Sequence, residues 1–465
     1  MAIALNRFKS ANVTSQFPCL LAILFFIVAA SFKIRNPGLY YDEMIFVSGA
    51  HRISDALTWS TSWVDSLRQL PIMVFRYIGA LKAWLFFPIF YCFGYSPLTI
   101  RLPAILISAG TIYINYLTAR KWLGPFYGMA MGLLLATSPS LVFQSRVDWG
   151  PVVLMLFCKA ISLYYFASLI QSRKISHLIY MVLAMVMGTY DKLNFVWIVT
   201  AFLLSSLIVY HSEILDLLKK QSRRLLIYLG IATIITMFVF ATKIIPLVKL
   251  PDFLELSNRV EHIWSLYTDT MSNGGLHICF KHIPYIYNIY NWLFPFSIFI
   301  FITIALSRFL QRDFQLFCRQ ERPRLFVFFI LLFLFTFIQI VVTPEAGGPH
   351  HVMTLMPFDL FAFVISVSFI EEINLSRLKY VSRRLAVAII FSVVCINSYA
   401  VIKYDGKFAG SHDYYARWSP AIYRLAATLV DYSASVDCIV FTDWGMALQV
   451  MALVNEDARL KVQNF

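Results

Sequence analysis

Twelve apolar runs follow one another between Phe17 and Ile402, and they leave little room for any fold that does not cross a lipid bilayer. A transmembrane helix needs roughly 17–25 predominantly apolar residues, and most of these runs reach or approach that length. They lie at about 17–32, 76–93, 101–119, 127–143, 151–170, 177–190, 193–210, 225–248, 286–307, 325–343, 351–370 and 385–402. Soluble domains average about 25% charged residues; here the figure is 14%, with 59% hydrophobic and a mean hydropathy of +0.70. The chain is therefore read as an all-α polytopic membrane protein. The net charge of +14 does not signal nucleic-acid binding, because the positive residues sit in short loops between apolar runs, where they orient a membrane chain.

Those loops fix an orientation and a span count. With the amino terminus in the cytoplasm, the alternate loops carrying Arg120-Lys121, Lys219-Lys220-Arg223-Arg224 and the five arginines from Arg308 to Arg324 belong to a set holding nineteen basic residues, against nine in the opposite set. The excess marks the cytoplasmic side. Arg7 and Lys9, with Val28 and Ala30 further on, give the amino end the look of a signal sequence. So many spans follow that an uncleaved first helix is expected. If 33–69 is outside and Arg120-Lys121 inside, only one of the runs 76–93 and 101–119 can cross. Arg76, Lys82 and two prolines make 76–93 the poorer span, so it is assigned to an outer juxtamembrane helix. About eleven spans remain.

The expected organisation is a transmembrane domain, 1–402, with a first outer loop at 33–100 and a second at 249–284, then a small extracytoplasmic α/β tail, 403–465. In the second loop Leu256, Val260, Ile263 and Tyr267 recur at helical spacing opposite Asp252, Glu255, Arg259 and His262. That pattern predicts an amphipathic helix on the membrane, stopped by Asn273-Gly274-Gly275. The tail reads as helix 420–434, strand 436–442, helix 445–454 and strand 459–462. Seven scattered cysteines show no zinc-site spacing, and only Cys279 and Cys438, in polar segments, leave a disulfide open.

The polar residues that could carry chemistry fall in outer turns. Asp42-Glu43 follows the first run behind Pro37-Gly38 and Tyr40-Tyr41. A carboxylate beside a bilayer is costly and tends to be kept for a function, although either residue could instead cap a helix starting near Met44. Arg146 and Asp148 lie in SRVDWGP (145–151), Asp191-Lys192 in YDKLNFVW (190–197) and His350-His351 in GGPHHVMTLMPF (347–358). Asp148 and Arg146 could serve as caps for a helix beginning at Pro151, and Asp191-Lys192 as a self-neutralising turn. All four sites could converge on one cavity at the outer membrane surface.

Together with YIGALKAWL (77–85) and IRLP (100–103), these segments resemble the bacterial members of glycosyltransferase family 39, the protein-mannosyltransferase-like group with its aminoarabinose-transferase relatives, within the GT-C superfamily. The likeness runs in order over most of residues 15–400 and more weakly into SPAIYRLA and FTDWG of the tail. The resemblance implies a GT-C fold in a bacterial inner membrane, and transfer of a sugar from a polyprenyl-phosphate donor to a lipid, glycan or protein acceptor on the outer face. Asp42 would be the catalytic base and Glu43 would position it. The chain departs from the aminoarabinose enzymes at Leu67-Arg68-Gln69-Leu70-Pro71, where an acidic partner is missing; this argues against a bound metal there, while a divalent cation stays open. A base needs hydrogen-bond reach of the acceptor hydroxyl, and the departing lipid phosphate needs cations or dipoles. Arg146, Lys192, His350, His351 and Arg68 are the candidates, Asp148 is placed with them at the substrate, and Tyr41, with Tyr40, Trp149 and Trp63, offers a stacking surface. The alternative is a transporter or lipid flippase. Such proteins favour ionisable residues near the midplane, and only Lys159 and Lys243 stand out inside runs here.

Overall fold

Proline and glycine set where the helices begin and stop. Pro97 opens α4 (Pro97–Leu123), behind a reciprocal cap in which Ser96 and Thr99 each bind the other's amide, at 3.1 and 2.8 Å. Gly124 ends that helix at φ +95°, and Pro125 at once begins α5 (Pro125–Ala136). The structure is a computed structural model that describes residues 2–51, 59–60, 71–75, 77–219, 253–284, 286–344, 346–371, 379–410, 413–432, 435, 438–441, 446–454 and 461–464. The expected span at 225–248 lies outside these residues, as do Trp63 and Arg68.

Before α4 come α1 (Ala2–Ser31), the short α2 (Tyr41–His51) and α3 (Leu81–Phe93). After α5 come α6 (Pro139–Val147), α7 (Val153–Ser172), α8 (Ile175–Asp191), α9 (Val196–Lys219), α10 (Phe253–Asn273), α11 (Tyr290–Leu310), α12 (Phe314–Arg319) and α13 (Glu321–Val342). The series closes with α14 (Pro349–Val352), α15 (Phe358–Ile370), α16 (Lys379–Gly410), α17 (Ala421–Tyr432) and α18 (Ala447–Val454). Among the described residues, seven helical segments are long and apolar enough to cross a membrane, and an eighth forms if α5 and α6, bent by 53°, count as one span. The apolar part of α1 and α8 are shorter. The protein is an integral membrane protein. Its central column is α15, every residue of which is buried, among them Phe361 stacked 4.4 Å from Phe329 of α13.

Three runs differ from their sequence reading. The run 127–143 is broken at Thr137-Ser138 because Pro139 starts a new helix there. The run 351–370 is broken between His351 and Phe358, where a 3₁₀ turn and Pro357 interrupt it. Lys159 of α7, buried, donates to the freed carbonyls of Thr354 and Met356. Asp359 is also buried, bonded at 2.8 Å by the Tyr267 hydroxyl, so Lys159 is accompanied inside the bundle by an acidic residue that the apolar pattern hid. The last span continues to Gly410, beyond the expected end at 402.

The second outer loop does form its amphipathic helix, α10, stopped at Asn273. Its buried stripe is Ile263, Tyr267 and Met271, while Val260 is exposed, because the stripe drifts around the helix toward α6 and α13. Arg259 donates to the carbonyls of Val341, Thr343 and Pro344 at 2.6, 2.5 and 3.0 Å, satisfying the open end of α13. The first loop adds a feature that the sequence reading lacked, an antiparallel sheet of β1 (Trp59–Ser60), β2 (Pro71–Phe75) and β3 (Ile78–Gly79). In the tail, β4 (Cys438–Phe441) pairs in parallel with β5 (Lys461–Asn464), and α18 packs on α2. Cys279 is a free, buried thiol, so it forms no disulfide with Cys438.

Candidate active site

The four polar turns meet at one end of the bundle, around the backbone of Gly150. Asp148 takes a left-handed conformation, φ +48°, that ends α6, and its Oδ1 then accepts the amides of Val152 and Val153 at 2.8 Å each to cap α7. Its Oδ2 pairs with Lys82 of α3, whose ammonium sits 4.1 Å from the Phe46 ring centre. Asp148 is thus a buried helix cap and ion-pair partner, with both oxygens engaged by the protein itself.

That turn presents Gly150 to three other segments. The Gly150 amide donates to Asp42 Oδ2 at 3.0 Å, and the Gly150 carbonyl accepts Lys192 Nζ. His350 lies over Gly150, its ring 5.1 Å from Trp149 and 4.0 Å from His351. At Gly150, φ is +65° and an added Cβ would fall 2.4 Å from His350 Cγ, so only glycine fits. His351 Nδ1 accepts the Gly348 amide at 3.2 Å, which holds the turn closed.

Asp42 and Glu43 have separate tasks. Glu43, at the third position of α2, reaches back to the Tyr40 amide at 2.8 Å. It also receives Arg101 Nε and Nη2 at 2.7 and 2.8 Å, and both partners are buried. Arg101 further donates to the carbonyls of Ile34, Pro37 and Gly38. Glu43 therefore supplies the cap and fixes the loop, which leaves Asp42 free of that duty. Asp42 is half-buried, and its second oxygen has no hydrogen bond among the described residues. Burial pushes its carboxyl up to about 6, with Glu43 and Asp148 adding to the rise and Lys192 and the Gly150 amide opposing it. Burial pulls Lys192 down to about 8 against the pull of Asp42, Asp191 and Asp148. Tyr41 is half-buried beside α3 and packs against the Leu39–Met44 cluster.

Arg146 lies elsewhere. It is 0% exposed and ties three elements together, bonding the carbonyls of Ala29 and Ala30 at the end of α1 and Asp405 of α16 at 2.7 Å. It caps α1, not α7, and is walled off from any bound lipid. The sequence reading passed over Lys82 and Arg101 as site residues, although both were visible as lone charges within apolar stretches. Asp191 is fully buried and neither of its oxygens has a hydrogen-bond partner among the described residues; Lys192 turns away from it to Gly150, so the pair is not a closed turn. No three His, Cys, Asp or Glu side chains among the described residues are grouped to hold a metal ion.

The C-terminal tail is also part of this corner. Trp418 stacks on Tyr40, with centroids 3.9 Å apart and planes 6° from parallel, and Trp149 meets both rings edge-on at 6.0–6.2 Å. The Gly38 amide donates to the Trp418 carbonyl at 2.8 Å, and the backbones are so close that a Cβ on Gly38 would lie 2.2 Å from the Ser419 oxygen.

Comparison with known proteins agrees with this architecture. No curated protein matches the chain. A family model described as dolichyl-phosphate-mannose-protein mannosyltransferase matches residues 79–244. Among solved structures, ArnT from Cupriavidus metallidurans in the apo state superposes with a TM-score of 0.56 at 12% identity, covering 98% of this chain and 86% of that one. The same protein bound to undecaprenyl phosphate gives 0.52 at 11% identity, over 96% and 85%. The chain is an integral membrane protein with the GT-C fold of ArnT, and over residues 79–244 it is similar to the dolichyl-phosphate-mannose-protein mannosyltransferases.

Proposed function

We propose that the protein transfers a sugar from a polyprenyl-phosphate donor to an acceptor hydroxyl on the extracytoplasmic face of a bacterial inner membrane, with Asp42 as general base. The observation that carries this reading is the state of Asp42: one oxygen pinned by the Gly150 amide, the other open, and a carboxyl held near 6. A base of that strength is ionised at neutral pH yet accepts a proton readily as the acceptor oxygen attacks. Asp42 takes the hydroxyl proton, the acceptor oxygen bonds to the anomeric carbon, and the bond to the lipid phosphate breaks with its electron pair on the phosphate. Glu43 and Arg101 hold the loop, Lys192 keeps Asp42 ionised, and His350 and His351 border the reacting groups. Arg146 braces α1 against α16. The similarity of fold to ArnT, which has been solved with undecaprenyl phosphate bound, supports the donor class. The basic-loop count supports an outward-facing site with the amino terminus in the cytoplasm.

Membranes containing the protein, given a panel of radiolabelled polyprenyl-phosphate sugars, are expected to consume one of them. Asp42→Asn should lower that transfer by roughly 10²–10⁴-fold while insertion and yield stay normal. Full activity in Asp42→Asn would remove the base assignment.

A further inference from the structure

Among the described residues, the buried cations around Asp42 are committed. Lys82 is paired with Asp148, Arg101 with Glu43 and Arg146 with Asp405, and Lys192 is turned onto the Gly150 carbonyl. All four are buried, and a buried ion pair cannot release its cation without leaving an uncompensated charge behind. A departing lipid phosphate would still require a positive partner.

Arg417 fits that requirement. It lies on the 3₁₀ turn Ala416–Trp418, which is fixed to the loop before Asp42 by the Tyr40–Trp418 stack and the Gly38 hydrogen bond. Arg417 is exposed, and its positive charge acts on the Tyr40 phenol, two residues from Asp42, opposing the rise that burial causes. A neutral phenol beside a guanidinium does not cancel its charge. A guanidinium offers five N–H donors in a planar fork suited to phosphate, and no carboxylate is paired with Arg417 among the described residues. We infer that Arg417, carried to the Asp42 corner by the C-terminal tail, binds the phosphate of the lipid-linked donor. The tail is thereby a working part of the site, not an appendage. This inference rests on the proposed donor class.

The test uses the full chain in phosphatidylcholine nanodiscs, with undecaprenyl phosphate and uncharged undecaprenol as probes. Arg417→Ala is expected to weaken undecaprenyl phosphate binding about tenfold or more, equivalent to about 1.4 kcal/mol, and to leave undecaprenol binding unchanged. Arg417→Lys should recover part of the loss, since it restores charge but not the fork. Unchanged affinity in Arg417→Ala overturns the inference, as does an equal loss for both probes, which would mean that the tail had merely shifted. Because the readout is binding, it is independent of turnover. If no sugar is transferred from any donor yet Arg417→Ala selectively loses the phosphate probe, the transferase reading fails and the phosphate site stands.

Discussion

Removing the Lys192 charge should move the acid limb of the pH–rate profile upward. Lys192 and Asp42 hang on the two faces of one residue, the ammonium on the Gly150 carbonyl and the carboxylate on its amide at 3.0 Å, which sets the charges about 7 Å apart for ordinary hydrogen-bond lengths. At an effective dielectric near 20 the attraction is about 2.4 kcal/mol. Partial exposure of Asp42 to solvent and the screening it brings reduce that by roughly half. At about 1.36 kcal/mol per pKa unit, Lys192 lowers the Asp42 pKa by about one unit. Its loss adds to the effect of burial, so the carboxyl rises from about 6 toward about 7. Asp42 works in its ionised form; activity is therefore lost as pH falls through its pKa, and Lys192→Met loses it earlier on the descent. The assay is kcat/KM for the identified donor between about pH 5 and 8, with Lys192→Arg as the control that keeps the charge. An acid limb that stays put in Lys192→Met would refute the electrostatic role and, with it, the assignment of that limb to Asp42.

Two further outcomes follow from the geometry. Arg101→Met, which strands Glu43 in a buried site, should cost about 3–5 kcal/mol of stability, read as a lower thermal midpoint in detergent; an unchanged midpoint would mean that the pair is not sealed from water. Gly150→Ala should cut transfer at least about tenfold without preventing insertion, since it combines left-handed backbone strain with a 2.4 Å clash on His350. Wild-type turnover would show that this turn yields freely.

Much of this molecule is written in its apolar pattern. The runs at 101–119, 151–170 and 325–343 became α4, α7 and α13, the first continuing through Pro103. The failures cluster where the pattern stays apolar while the backbone turns. Pro139 and Pro357 each sit in a stretch that hydropathy reads as continuous, yet each stands at the start of a new helix after the previous one has stopped. The site shows the same division. Asp42 and His350-His351 could be singled out because they are polar residues in turns, and the structure brings both to Gly150. The pairing of Arg146 with Asp405 was not visible, because the two lie 259 residues apart and spacing along a chain cannot show such a contact. Asp148 was ambiguous for a local reason: one carboxylate can close a helix or meet a ligand, and only the Val152 and Val153 amides decide between them.

The contacts of Phe408 and Trp418 with Asn36 and Tyr40 also have a consequence for biogenesis. Asn36 bonds the Phe408 carbonyl across 372 residues of chain, and Trp418 covers Tyr40 just beyond it. During synthesis the base emerges early, but the wall beside it is made only after the last spanning helix has been threaded. A chain stalled before that point would insert its first helices and carry Asp42 without the contacts that Phe408 and Trp418 make beside it.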